Sequence, residues 1–462
     1  MSTTAGTLRH PVAPARVRSP AVRLLRVYAV VLLVVPSNTT LPAIGAAGFP
    51  AGLLGVAAFG LYATWTLLGS HDPLVHRYPT RRVFTVLWAS SLVSYTLFQF
   101  HARTPTESNG ADRWLLFLIG LTGIALLAAE GLRTLDDILD VLRAMVVGGA
   151  VCGFVAALQF WAGFDLSVLI GQSVPGFTYD GALGGIQDRG ALNRVPGTTL
   201  HPIELGAVTA VLLPIAVALA IIDRNRSTTR RFVPLLLLAL CVPVSVSRSA
   251  ILAIAVALVV MVCQLGATRR ATALAVMPVA LAAVFLTIPG LIKTLGAFFL
   301  NAGTDTSVST RTDDYPLVES LVRRFPLFGQ GGGTYLPTDM LTILDNTYLK
   351  WVVEFGLVGL VVLVVFYMGL PVMTAVVARK RARQDPAALL AVAFGAGLSA
   401  AAISAVTFDS LTFPTLACTQ NLVIGLLGAL WQVIARENRR AEAFGDDVLT
   451  ASRPPEGEPW TR

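Results

Sequence analysis

Apolar residues in this chain come in long runs rather than in the alternating or three-and-four spacing that leaves one face wet. Ile251 to Leu265 contains one polar residue, Gln264, and Val352 to Leu370 contains one charge, Glu354. Runs of about 18 or more such residues can cross the hydrocarbon core as helices. The pattern predicts spans over 22–44, 47–69, 83–100, 114–132, 141–163, 202–222, 232–246, 250–267, 271–289, 347–376, 388–407 and 417–435. The seventh is short, which suits a tilted, broken or partly shielded segment. The expected fold is an all-α, polytopic membrane bundle of about twelve helices. Residues 1–21 form a basic cytoplasmic arm, 22–435 the transmembrane domain, and 436–462 a cytoplasmic tail. The domain includes two longer outer loops, 164–201 and 290–345, that contain short helices.

Composition supports this pattern. Of 462 residues, 55% are hydrophobic and 13% charged, against about 25% charged in soluble domains. So few charges could not cover a water-facing surface. The net charge of +8 then needs a place. With an even number of spans, one side collects the N-terminal arm (Arg9, Arg16, Arg18, Arg23, Arg26), Arg77, Arg81, Arg82, Arg133, Arg143 and Arg224 to Arg231. Arg269, Arg270, Arg379 to Arg383 and Arg436 to Arg440 fall there too. The positive-inside rule puts that side, and both termini, in the cytoplasm. The charge therefore reads as topology anchors beside anionic lipid and calls for no nucleic acid. The arm and the Pro/Glu-rich tail after Phe444 are expected to be disordered. No cleavable signal peptide is evident, and the first apolar run reads as the first membrane helix. Cys152, Cys241, Cys263 and Cys418 lie in apolar runs without metal-ligand spacing and read as small core residues.

Chemistry is expected where charges break this rule. Arg194, Arg248, Arg311, Arg323 and Arg324 fall on the outer side. Arg248 sits in SVSRSA, residues 245–250, between two apolar spans. An arginine so close to hydrocarbon is costly unless hydrated or paired. It reads either as a guanidinium gripping an anionic ligand or as a snorkelling turn residue. In NRVPGTTLHPIELGA, residues 193–207, a long loop enters a helix. Pro202 suits the first turn and Glu204 suits its dipole, which leaves Arg194 and His201 as candidates. In STRTDDYPLVESLVRRFPLFGQGGGTY, residues 309–335, Tyr315, Leu317, Val318, Leu321 and Val322 recur at helical spacing. Arg311 is expected to precede this short amphipathic helix, and Arg323 and Arg324 to end it. Gly329, Gly331, Gly332 and Gly333 read as a flexible turn whose N–H groups could meet an anion or sugar. Without Gly-Lys-Ser/Thr this is no nucleotide P-loop. In LDNTYLKWVVEFGLVGL, residues 344–360, Asp345 reads as a helix N-cap or a general base. Lys350 and Glu354, four apart, read as a pair within the helix.

These motifs, in this order, resemble the O-antigen ligase and O-antigen polymerase superfamily over about residues 190–365. The resemblance rests on the Arg–Gly–His-Pro–Glu–Gly helix entry, the Ser-Arg-Ser turn, Arg–Tyr–Pro–Leu–Phe–Gly–Gly in the large loop, and Asn-x-Tyr-Leu–Glu–Gly–Gly-Leu. It implies a bacterial glycosyltransferase on the outer face of the cytoplasmic (inner) membrane. Such an enzyme moves a glycan from an undecaprenyl pyrophosphate carrier to an acceptor sugar without metal, cofactor or nucleotide sugar. It implies Arg194, Arg248 and Arg311 on the pyrophosphate, with Tyr315, Arg323 and Arg324 as further substrate contacts and Asp345 and His201 as catalytic candidates. The implied partners are the lipid-linked donor, the glycan acceptor, membrane lipids, and polysaccharide assembly and export proteins. Ligases of the family carry histidine where this chain has Asp345, which favours a polymerase or exopolysaccharide-type relative. A ligase passing a finished glycan to a lipid or protein acceptor is the alternative enzyme. A transporter is the alternative from another class, to be recognised by charges in broken helices at mid-membrane.

Overall fold

The computed structural model describes residues 19–181, 184–189, 192–286, 306–337 and 342–451. Most of the basic arm, the end of the tail, residues 287–305 of the second long loop and the side chain of Arg311 lie outside this set. Each expected span overlaps a helix, although the first, expected to reach residue 44, ends at Val34. In chain order these are α1 (Pro20–Val34), α2 (Pro50–Leu67), α3 (Arg81–Phe98), α4 (Pro105–Gly131), α5 (Leu135–Ala157), and, after the short loop helix α6 (Leu166–Gln172), α7 (Pro202–Ile222), α8 (Thr228–Val244) and α9 (Arg248–Gln264). Then come α10 (Ala267–Leu286), the loop helix α11 (Thr306–Arg324), α12 (Thr347–Val361), α13 (Leu370–Arg381), α14 (Asp385–Thr407) and α15 (Pro414–Ala451). Alpha-helix α12 runs into α13 through a π-helical stretch, Val362–Gly369.

Seven of these segments, among the described residues, have the length and apolar composition to cross a membrane: α2, α4, α5 with its π-helical end, α7, α12 with α13, α14 and α15. The others in the expected set fall short of that length or composition, so twelve crossings exceed what helix length alone supports. Helix α8 carries Pro234 and Pro243 inside it, and each removes a ladder hydrogen bond. The starts are clearly marked. Proline opens α1, α2, α4, α7 and α15, and capping boxes at Thr104 with Glu107 and Thr134 with Asp137 begin α4 and α5.

Helices α7, α14 and α15 form the middle of the bundle and are buried along most of their length. Cys152, Cys241 and Cys418 are buried as expected of core residues, whereas Cys263 is exposed. Among the described residues there are also two small antiparallel pairs: Thr39–Thr40 with Thr178–Tyr179, and Gln187–Arg189 with Leu192–Arg194. The alternation of helix directions puts the starts of α7, α9, α12 and α15 at one end. The loop 70–80, Glu130 and Gln432 stand at the other.

Candidate functional site

The first motif is built against a fixed backbone. The last strand ends at Arg194, which is 8% exposed, and its Nε donates to the carbonyl of Ser245 at 3.2 Å. The following loop is held by Gln159, whose side chain accepts from Gly197 N at 2.7 Å and donates to Gly197 O at 3.1 Å. Gln159 lies in the π-helical turn Leu158–Ala162 and is fully buried. Such turns concentrate at functional sites because they break helix register. Thr198 Oγ1 adds a bond to Leu33 O at 2.6 Å. Nothing in local spacing singles out Gln159, because its partner lies 38 positions away.

At the start of α7 the cap is His201 itself. Its Nδ1 accepts from Ile203 N at 3.1 Å. In the neutral imidazole the proton must then be on Nε2, which becomes a donor. Burial and the positive charge of Arg194 hold the His201 pKa at about 4, below its ordinary value of about 6.5. Between those values the unfolded chain takes up a proton that the folded chain refuses, so acidification through that window destabilises the fold. Asparagine can serve as an N-cap. His201→Asn is therefore expected to keep the neutral-pH unfolding temperature and to flatten its fall between about pH 6.5 and 4, whereas His201→Ala loses about 1 kcal/mol of cap. Thermal scans across that pH range check both.

Glu204 goes beyond the expected dipole role. It is fully buried, and its two oxygens accept from Leu200 N at 2.8 Å and Leu416 N at 3.0 Å. One carboxylate thus ties the starts of α7 and α15 together. Helix α9 is fixed against α7 by close approach: a Cβ on Gly206 would stand 2.2 Å from the Cβ of Ala250. Ser247 caps α9 by accepting from Ala250 N, and Arg248 is its first residue, half-buried. Just before it, Val246 has φ 44, a left-handed value that is a genuine outlier for a β-branched residue. Arg194 and the Ser-Arg-Ser turn are therefore joined at the end of the bundle where α7 and α9 begin.

The third motif reaches the same end by another route. Asn346 is the cap of α12, accepting from Tyr348 N at 2.9 Å and Leu349 N at 3.3 Å. Asp345 was expected there. It precedes the cap, is exposed, and so does not have to serve as both cap and base. Thr347 Oγ1 donates to Phe408 O and accepts from Ser410 N. The Phe413 ring in the same connection lies 6.0 Å from that of His201. The α14–α15 connection thus bridges Thr347, at the start of α12, and His201, at the start of α7.

Lys350 does not depend on Glu354 as expected. Its Nζ donates to Asp409 Oδ2 at 2.8 Å and to Thr412 Oγ1 at 2.8 Å. The helix spacing suggested Glu354, but Asp409 is supplied by a connection 59 positions away. Both side chains are mostly enclosed. Lys350→Met alone is expected to destabilise the protein by about 3 kcal/mol or more, since it strands a charge. The double change Lys350→Met/Asp409→Leu should cost less, as thermal unfolding of both variants would show.

The second motif divides. Helix α11 begins at Thr306 in the described residues, so Arg311 lies within it rather than before it. Val318 packs with Leu344, Val352 and Val353, joining α11 to α12. Tyr315 is 57% exposed. Arg323 pairs with Glu319 at 2.5 Å on an open surface, and Arg324 is exposed beside it. Twelve helical positions separate Arg311 from Arg323, about 18 Å at 1.5 Å per residue.

The glycine cluster is not a flexible turn. Helix α12 is interrupted at Gly356, φ 68 and ψ −168, and residues 326–331 fill the break. Gln330 N and Gly331 N donate to Val353 O and Glu354 O, while Leu357 N and Val358 N donate to Pro326 O and Leu327 O. The N–H groups of Gln330 and Gly331 are engaged with α12 rather than aimed at a ligand. The interrupted helix is the feature an ion-coupled transporter would need, but the Val353 and Glu354 carbonyls at the break already hold Gln330, Gly331 and Ser94.

These features define a multi-pass helical membrane protein with a buried, arginine-bearing polar site where several helices begin. Residues 233–364 match the family model described as O-antigen ligase, and that match supports kinship with the O-antigen ligase superfamily, a glycosyltransferase-like ligase family. The matched stretch includes Arg248, Arg311, Tyr315, Arg323, Arg324 and Asp345, and leaves Arg194 and His201 outside. No curated protein matches the chain.

Proposed function

We propose that the protein is a polysaccharide polymerase that joins undecaprenyl-pyrophosphate-linked oligosaccharide repeats on the outer face of the bacterial cytoplasmic membrane, with both termini in the cytoplasm. The observation that carries this reading is the convergence of Arg194, Arg248 and the N-termini of α7, α9, α12 and α15 at one end of the bundle. Helix N-termini carry partial positive charge and bind phosphates. A diphosphate leaving group needs that stabilisation when no metal supplies it. In the proposed step an acceptor hydroxyl oxygen bonds to the anomeric carbon, and the carbon–oxygen bond to the carrier diphosphate breaks. The electron pair leaves with the diphosphate, held by Arg194, Arg248 and Arg311. The hydroxyl proton passes to the Asp345 carboxylate. His201, with its proton on Nε2, serves as a hydrogen-bond donor to a phosphate or sugar oxygen rather than as the base. Arg323 and Arg324, at the far end of α11, suit contact with the glycan more than with the diphosphate. Assembly and export proteins would take up the product.

Aspartate in place of the ligase histidine favours chain growth over transfer to a separate acceptor. Purified protein incubated with lipid-linked repeats is expected to give a ladder of longer glycans on the carrier. Product only on a distinct lipid or protein acceptor would establish the ligase reading instead. Asp345→Asn keeps the shape and removes the base, and is expected to cut turnover about 10²- to 10⁴-fold with the unfolding temperature unchanged. Full turnover in that variant would remove Asp345 from the mechanism.

A further inference from the structure

At the end of the bundle opposite this site, two recesses lie side by side. Helices α2 and α3 both pack on α4 and leave a groove of about 580 Å³ between them, walled by Phe59, Ala63, Phe84, Trp88 and Leu126 and bordered by Arg81. The second is a cavity of about 360 Å³ whose lining includes Arg77, Arg133, Arg436 and Arg439. One short stretch of chain separates them: Pro73 faces the groove, while Val75, His76 and Arg77 face the cavity. Arg81 pins that wall by donating from Nη1 to the carbonyls of Pro73 and His76.

The charges favour an anion. Glu130 is the acid among the cavity-lining residues, and its oxygens already accept from Tyr62 Oη at 3.0 Å and Tyr78 Oη at 2.7 Å, with His71 Nε2 at 2.6 Å. Burial and the neighbouring Glu130 charge push the Tyr78 phenol well above its ordinary pKa, so it stays a donor. His71, His76 and Glu130 hold their ligand atoms within 4.8 Å of one another, a spacing that would suit a metal. The surrounding arginines oppose a cation there and favour phosphate. The arginines also come from three separate segments: the α2–α3 loop, the α4–α5 link and the C-terminal half of α15. Chain-by-chain topology signals do not require them to share one cavity. Around it, Leu67, Leu74 and Val75 are 86%, 79% and 72% exposed, as side chains that sit among lipid would be.

We infer that this end of the protein binds an anionic phospholipid, with its phosphate in the arginine cavity and an acyl chain in the groove between α2 and α3. The site is independent of the transfer reaction. The test compares dioleoyl phosphatidylglycerol with dioleoyl phosphatidylcholine, which carry the same chains, on the purified full-length protein, reading retained lipid by native mass spectrometry and stabilisation by thermal unfolding. Phosphatidylglycerol is expected to be retained and to raise the unfolding temperature, and phosphatidylcholine to do so far less. Arg77→Gln/Arg133→Gln, both exposed, should weaken retention about tenfold or more, since each basic residue near an anionic headgroup contributes measurably. Ala63→Trp, which fills the groove, should displace the acyl chain. Arg224→Gln/Arg230→Gln removes equal charge from exposed positions at the same end and should leave retention unchanged. Equal retention of the two lipids, an equal loss in the Arg224/Arg230 control, or competition by glycerol 3-phosphate as strong as by the lipid would overturn the inference.

Discussion

Arg248→Ala is expected to lower turnover about 10²- to 10³-fold, the loss typical when one preorganised group stabilising developing charge is removed. The guanidinium stands on the first residue of α9, so its charge and the helix N-terminus act on the same point. Half-burial strengthens both, because less water screens them. Arg248→Lys keeps the charge and loses the planar pair of donors, and should recover part of the activity. Ser247, not Arg248, caps the helix, so the fold should survive the change. Chain growth on a lipid-linked repeat, measured beside the thermal unfolding curve, separates the two effects. Wild-type turnover in a folded Arg248→Ala protein would remove this residue from the diphosphate site. Arg194→Ala is less clean, because Arg194 also holds the Ser245 carbonyl and its removal disturbs the turn that places Arg248.

Gly356→Ala is expected to be the most damaging single change to the fold, at about 4 kcal/mol or more. At φ 68 and ψ −168 the backbone lies in a region open essentially to glycine alone. An added Cβ would stand 2.3 Å from the Leu327 carbonyl carbon and 2.4 Å from its oxygen. These atoms belong to the segment that fills the helix break and cannot swing aside as a side chain would. The expected result is little folded protein, or a sharply lower unfolding temperature in detergent. Gly60→Ala is the matched control: it is a helical glycine with nothing within 4 Å of an added Cβ, and should be neutral or slightly stabilising. Similar losses in both variants would show that the break at Gly356 is not the cause.

The helices themselves were legible because their signals are local. Apolar run length, proline at the first turn and threonine before an acidic third residue all lie within one segment. Each of the twelve predicted spans therefore overlaps a helix, although the first helix stops at Val34. Errors begin where a local signal had two readings. Asp345 and Asn346 are both good caps and stand side by side, and only the backbone turn selects Asn346. The glycines at 329–333 have the composition of a mobile turn. They are glycines because the backbones of α4 and α12 and the side chains of Phe98, Phe355 and Trp114 press against them, as at Gly333 and Gly110, where a Cβ on Gly333 would meet the Gly110 oxygen at 2.5 Å.

The candidate site was legible as a set of residues but not as a place. Arginines on the expected outer side stood out because hydrocarbon makes every charge costly, and that cost is a property of position along the chain. Which groups meet is a matter of distances between segments far apart in sequence. Arg194 meets Ser245, Gln159 clamps Gly197, Glu204 reaches Leu416 and Lys350 takes Asp409. By itself the sequence determined a membrane bundle and marked candidate residues for the chemistry proposed above. Only the tertiary structure decided that Lys350 pairs with the α14–α15 connection, that the glycines mend a broken helix, and that the starts of α7, α9, α12 and α15 share one end. The physical reason is that transfer from water acts residue by residue, whereas hydrogen bonds and packing need partners that only the folded chain supplies.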